Sequence, residues 1–254
     1  MAESIQIIGT SIAQTSYALV WQNIQDWLAQ ENWGFVVAAN VHVVVTAHRF
    51  PVYGLALRAA HVITPDGMPL VWTMRLLGAK AQTRVYGPDL MLFCCDRAQD
   101  HEYKIYLYGS SREVLAKLHE NLAKRYPRLH ICGTHAPGIL SPMPNWEEIA
   151  TDVTRINQSG AQLVMVGLGC PKQEYWMAAA KPGLRAIAIG VGAAFDFHAG
   201  TVKQAPRWVM AIGLEWLYRW WQEPRRLTSR YLVNNPLFVL LICRQLWHQY
   251  VSHH

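Results

Sequence analysis

Asp66, in the stretch ITPDGMPL, has the setting of a general base, because its carboxylate stands where an apolar run ends and a helix begins. Held above the carboxyl edge of a sheet, such a group can take the proton of a substrate hydroxyl. An aspartate beside glycine also makes an ordinary turn, and both readings stand at this point. Asn40 and His42 close another apolar run, in GFVVAANVHVVV, where the Asn40 amide can orient a substrate or cap the following helix. Lys172, Gln173 and Glu174 come directly after VMVGLGCP. With Pro171 as the first residue of a helix, these three fall in its first turn, where unpaired N–H groups and the helix dipole favour an anion such as a phosphate. The alternative is a solvated Lys-Gln-Glu face on a plain connection.

A second glycine-punctuated turn, AIAIGVGAAFDFHAG, brings in Asp196. The two turns lie about twenty residues apart around one helix, the spacing of a βαβ unit whose ligands bind beyond the strands' carboxyl ends. Arg84, just before Gly87 and Asp89, offers a guanidinium that can clamp a phosphate or make a surface ion pair. Glu215, Arg219 and Gln222 share one face at helical spacing, and Pro224 interrupts the pattern, so Arg226 belongs to a following helix. Neither glycine turn has the G-x-G-x-x-G pattern with its acidic partner, and no Walker A lysine motif occurs. Both facts argue against a nicotinamide dehydrogenase or a P-loop NTPase. The eleven histidines are scattered without H-E-x-x-H, which argues against a metal site.

The elements that must carry these residues alternate. A strand from Gly34 leads into a helix reaching about Ala60, and a short strand at Ile63 leads through Pro-Asp-Gly into a helix ending near Leu77. Lys104–Ser110 is a strand ending in glycine, and Arg112–Tyr126 is an amphipathic helix with Val114, Leu115, Leu118 and Leu122 on its apolar face. Further on come a strand at His130–Gly133, a proline-rich loop over 137–144, a helix over 145–159, and strands at Val164 and Ile187. The pattern predicts an α/β fold with a largely parallel sheet and flanking helices.

At 254 residues the chain can bury a sizeable core. One composition break falls near Thr201, dividing a 1–200 core from a 201–254 appendage. Seven basic residues in the appendage (Lys203, Arg207, Arg219, Arg225, Arg226, Arg230 and Arg244) stand against Glu215 and Glu223, which gives +5 of the chain's net +6. Five of the eleven tryptophans lie there too, at Trp208, Trp216, Trp220, Trp221 and Trp247. Arginine mixed with tryptophan suits an anionic membrane surface or a phosphate-bearing ligand, and no nucleic-acid-binding signature accompanies the charge. The longest apolar run of the appendage, Leu237–Cys243, is too short to span a bilayer, so the expected contact is interfacial; the same surface also suits packing against a second copy of the chain. The N-terminus lacks the basic start and apolar stretch of a signal peptide. Cysteines 94, 95, 132, 170 and 243, odd in number and without C-x-x-C spacing, read as reduced thiols of a cytosolic protein.

Five motifs, in order along nearly the whole chain, carry a family resemblance: PDG at 65–67, RVYGPDL at 84–90, GLGCPKQEYW at 167–176, GVGAAFDFHAG at 190–200 and GLEWLYRWWQEPRR at 213–226. Together they resemble the WecG/TagA/CpsF family of bacterial glycosyltransferases. The resemblance implies an inverting, metal-independent transferase without cofactor, moving a sugar from a UDP-sugar onto an undecaprenyl-diphosphate-linked sugar during assembly of a surface polysaccharide or cell-wall polymer. It also implies a Rossmann-like core and a peripheral protein at the inner face of the cell membrane, whose helical appendage meets the lipid and helps to close the site. Asp66 then matches the base, Asn40 lines the pocket beside it, Arg84 and Gln173 match substrate-contacting positions, and Arg219 and Arg226 match arginines that neutralise the diphosphate. Lys172 and Asp196 join the substrate-binding set from the residue reading above. The chain departs from the family pattern at Ala38, where some members have threonine, at Gln204, where arginine is frequent, and at Ser229, where an appendage arginine is common; Arg225 or Arg230 offers a substitute for the last. The other class open to these residues is a non-catalytic binder of UDP-sugars or lipid diphosphates.

Overall fold

A computed structural model describes residues 3–138 and 145–252, so most of the proline-rich stretch over 137–144 lies outside the described residues. The chain opens with an antiparallel hairpin, β1 (Ser4–Ile7) and β2 (Thr10–Ala13), followed by α1 (Tyr17–Ala29). Next come β3 (Phe35–Ala39), α2 (Val41–Arg49), α3 (Pro51–Arg58), β4 (Val62–Pro65), α4 (Met68–Leu76) and α5 (Gly87–Asp100). The middle of the chain gives β5 (Ile105–Gly109), α6 (Arg112–Arg125), β6 (Ile131–His135), α7 (Trp146–Ser159), β7 (Leu163–Gly167), α8 (Lys172–Ala180), β8 (Ile187–Gly190) and α9 (Ala194–Ala199). Three helices finish it: α10 (Arg207–Ala211), α11 (Glu215–Gln222) and α12 (Pro224–Ser252).

Six strands form one parallel sheet in the order β4-β3-β8-β7-β5-β6. Every residue of β3, β4, β5 and β8 is buried, the condition that favours unbroken apolar runs over alternation. Side chains of alternate strand residues enter two separate cores. One holds Val37 with α2, α3, α4, α7 and α8; the other holds Val36 with α1, α5, α6 and α9. The expected βαβ unit is β7-α8-β8, with its strands adjacent. The Arg112 helix buries the four predicted residues, Val114, Leu115, Leu118 and Leu122.

One expectation needs correction. The helix expected to run from the forties to Ala60 is two helices, because Phe50 adopts an extended conformation (φ −126, ψ 97) ahead of Pro51. Proline pushes its predecessor out of helical geometry and cannot donate the N–H that would continue the ladder.

The appendage packs on the rest of the chain. Phe238 and Ile242 of α12 are buried in the same core as α2 and α8. Gln245 accepts from the N–H of Ile8 at 2.9 Å and donates to the carbonyl of Gln6 at 2.7 Å, pinning the helix to the hairpin. Ala205, Val209 and Met210 pack with Tyr86 in a small separate cluster, and Leu227 is buried, whereas large apolar side chains stay exposed at Trp208, Trp221, Leu240 and Trp247. Among the described residues no helix is long and apolar enough to cross a membrane. All five cysteines are free thiols.

Candidate active site

A cavity of about 960 Å³ opens at the carboxyl ends of β3, β4, β7 and β8 and is walled on its far side by α11 and α12. Asp66 lies on its floor. The backbone there is fixed from two directions: the Asp66 N–H donates to Ala39 O at 2.8 Å at the end of β3, and Val85 N–H donates to Pro65 O at 3.0 Å. The carboxyl oxygen Oδ1 meets Arg84 Nη2 at 3.3 Å and the Gly87 N–H at 3.4 Å. Among the described residues Oδ2 accepts no hydrogen bond. Only 14% of the side chain is exposed. Burial, helped by the nearby Glu215 carboxylate, outweighs Arg84 and the Gly87 amide and pushes the acid up from 3.8 to about 6. A base held there is ionised at neutral pH and still basic enough to take a proton.

Arg84 is a buried hub. Its Nε donates to the backbone carbonyl of Asp66, Nη2 contacts Glu215 at 2.6 Å, and the guanidinium stacks 4.0 Å over the Tyr86 ring. The Tyr86 hydroxyl donates to the other Glu215 oxygen at 2.9 Å. The surface ion pair considered for Arg84 is therefore excluded. With two carboxylates on it, Arg84 steadies Asp66 and ties α11 to the sheet, and it also lines the cavity.

Asn40 is a helix cap: its Oδ1 accepts from the N–H groups of His42 (3.0 Å) and Val43 (3.4 Å) at the start of α2, and the residue also lines the cavity. His42 behind it receives Asn234 Nδ2 on Nδ1 at 2.7 Å; burial and the charge of Arg230 drive its pKa down to about 3, so the ring is neutral.

The Lys-Gln-Glu cluster is not a solvated face. Helix α8 starts at Lys172, with Pro171 as the residue before it rather than its first member. Gln173 and Glu174 are buried, whereas Lys172, about 100° round the helix from Gln173, is not among the residues lining the cavity. Gly167 must lack a side chain, since a Cβ there would stand 2.5 Å from the Phe195 ring. Asp196, in the first turn of α9, reaches the cavity, and burial raises its pKa.

Arg219 and Arg226 both line the cavity wall. Arg219 lies 5.5 Å from the Phe197 ring, and its Nε is buried without a partner. Arg226 is paired with Glu223 at 2.7 Å and is 62% exposed. Arg230, one turn further along α12, lines the cavity as well, with a buried Nε that also lacks a partner. Ser229, beside it, is not in the lining, so α12 faces the cavity with Arg226 and Arg230. Arg225 is likewise outside the lining. Ala38 sits on the floor beside Gly87, where a Cβ added to the glycine would come within 3.2 Å.

Sequence reasoning placed His42 beside Asn40 at a strand end but gave no role to it, to Glu215 or to Tyr86. Glu215 had a signal, its shared helical face with Arg219. Among the described residues no group of three or more His, Cys, Asp or Glu could hold a metal ion.

A model of the glycosyl transferase WecG/TagA/CpsF family matches residues 5–252. Among curated proteins the chain is similar to an N-acetylglucosaminyldiphosphoundecaprenol N-acetyl-β-D-mannosaminyltransferase of Bacillus spizizenii (strain W23). The two are 30% identical over 219 residues, covering 86% of this chain and 82% of the relative.

Proposed function

We propose, from the premise that this chain belongs to the WecG/TagA/CpsF family and is a glycosyltransferase, that its cavity joins a UDP-sugar donor to a polyprenyl-diphosphate-linked sugar acceptor. The observation that carries this reading is Asp66, a buried carboxylate held at about 6 on the floor of a large cavity, with Oδ2 accepting no hydrogen bond among the described residues. In this mechanism Oδ2 takes the proton of an acceptor hydroxyl, and the hydroxyl oxygen attacks the donor's anomeric carbon. The bond to UDP breaks on the opposite face, so the configuration inverts. The departing diphosphate gains negative charge as it leaves. The guanidinium groups of Arg219 and Arg230, each half-buried at the cavity wall with an Nε that has no hydrogen-bond partner, suit that charge, and Arg226 contributes from the cavity's exposed rim. Asn40, Gln173 and Asp196 line the remaining polar wall and suit contacts with sugar or nucleotide.

The same cavity continues along α4 and α12 past Trp72, Phe238, Ile242 and Leu246, an apolar stretch that suits the lipid end of such an acceptor. The exposed tryptophans and arginines of the appendage suit docking on anionic lipid, which would set the protein peripherally at the inner membrane face. The test is to offer a panel of UDP-sugars, with and without a short-chain polyprenyl-diphosphate sugar, and to measure UDP release. Release that requires the acceptor supports the reading; no release with any donor, or release equal without acceptor, overturns it.

A further inference from the structure

Gln173 lines the cavity although only 4% of it is exposed, and its oxygen Oε1 has no protein partner. A buried amide oxygen left dry is costly, so a fold that keeps one at a cavity wall has a place for a ligand donor. The amide's orientation is set by its neighbours. Nε2 donates to Glu174 Oε1 at 2.8 Å, and Glu174 is fully buried in turn. The amide lies directly on Gly190, where an added Cβ would come within 3.2 Å of Nε2. Oε1 lies toward Gly192, 3.6 Å from the position a Cβ there would take. Both glycines line the cavity. The accepting oxygen of Glu174 holds the N–H face of the amide and so turns the Gln173 oxygen the other way.

We propose that Glu174 is a positioning residue: it locks the Gln173 amide so that the cavity wall presents a hydrogen-bond acceptor, and that acceptor takes an N–H or O–H of the nucleotide-sugar. The proposal rests on the reading of this cavity as the UDP-sugar site. Two groups on such a donor have the required chemistry, the imide N–H of the uracil ring and a hydroxyl or amide N–H of the sugar. Without the lock, the amide can flip and offer its N–H groups instead, which meet those same donors unfavourably.

Glu174→Leu fills the buried space without an acceptor and should raise KM for the UDP-sugar about tenfold while kcat stays within about threefold. Glu174→Gln still has an accepting oxygen and should return KM to within about threefold of wild type. Gln173→Met removes Oε1 itself and should match Glu174→Leu, and the double variant should be no worse than either single one, since all three delete one contact. If Glu174→Leu does not fold, Glu174→Ala takes its place with the same KM expected. A merely structural role for Glu174 would lower the melting temperature and the active fraction but leave KM alone. A wild-type KM in the Leu or Ala variant, or losses that multiply in the double variant, overturns the proposal. Titrating UDP and UDP-sugars into the wild-type protein separates this from the underlying reading: if neither binds, the reading of the cavity itself fails. Where they bind, weaker binding of UDP alone to Gln173→Met assigns the contact to uracil, and a loss seen only with the UDP-sugar assigns it to the sugar.

Discussion

Asp66→Asn should remove activity and stabilise the fold at the same time. Asparagine keeps the shape of the side chain and an oxygen for Arg84 and Gly87, but it cannot take a proton, so kcat should fall about a hundredfold or more. The stability change follows from the acid's environment. In the folded protein Asp66 holds its proton up to about pH 6, against 3.8 for an exposed carboxyl, and the gap corresponds to about 3 kcal/mol. Because the folded-state pKa is the higher one, stability from this group is fully present below 3.8, drains away as pH rises, and is gone above about 6. Asparagine resembles the protonated acid and escapes the loss. The variant should therefore be more stable than wild type by up to about 3 kcal/mol at pH 8, but by only about 1 kcal/mol at pH 4.5. In a chain of this size that is a rise in melting temperature on the order of 5 °C at pH 8. Thermal melts of both proteins at the two pH values, with turnover measured alongside, decide it. A variant that is less stable at pH 8, or whose gain does not shrink on acidification, would refute the account of the buried acid.

Glu215→Gln should move the acidic limb of the pH–rate profile below pH 6, because it removes a negative charge that raises Asp66 and leaves Arg84 with Asp66 as its carboxylate partner; an unmoved limb contradicts that coupling. Arg219→Ala and Arg230→Ala should each cost about 2–4 kcal/mol of transition-state stabilisation in kcat/KM, with Arg226→Ala costing less and Arg225→Ala close to wild type. Equal losses at all four would indicate diffuse attraction in place of positioned contacts. Asn40→Ala should lower stability by about 1 kcal/mol in denaturant melts through loss of the α2 cap, whereas Asn40→Ser should keep most of it.

The parts of the fold legible in the sequence are those with a clean period. The apolar runs of β3, β7 and β8 read as buried strands because both faces are covered, and α6 reads as a helix because its apolar residues recur on one face. Helix α5 escaped because it opens with Gly87 and Pro88, the signature of a turn, and its core contacts include the small residues Cys94, Cys95 and Ala98. In the site, Asp66 and Asn40 were legible because a polar residue at the end of a buried strand stands at the sheet's edge whatever the rest of the chain does. The state of Arg84 was not legible. Its partner Glu215 lies 131 residues away, and only the fold of α11 against the sheet brings them together. For the same reason the sequence left Gln173 and Glu174, polar letters after a glycine turn, between a ligand-facing helix start and a solvated face, and only the packing shows both buried, with Gln173 against Gly190.

The central claim is that the buried carboxylate of Asp66 is the base of a sugar transfer, and the pH dependence of kcat/KM with a UDP-sugar and a polyprenyl-diphosphate acceptor tests it most directly. The account expects log kcat/KM to rise with unit slope through about pH 6 and level off above it, with that limb absent from the residual activity of Asp66→Asn. A flat profile from pH 5 to 8, or the same limb in the asparagine variant, would contradict it.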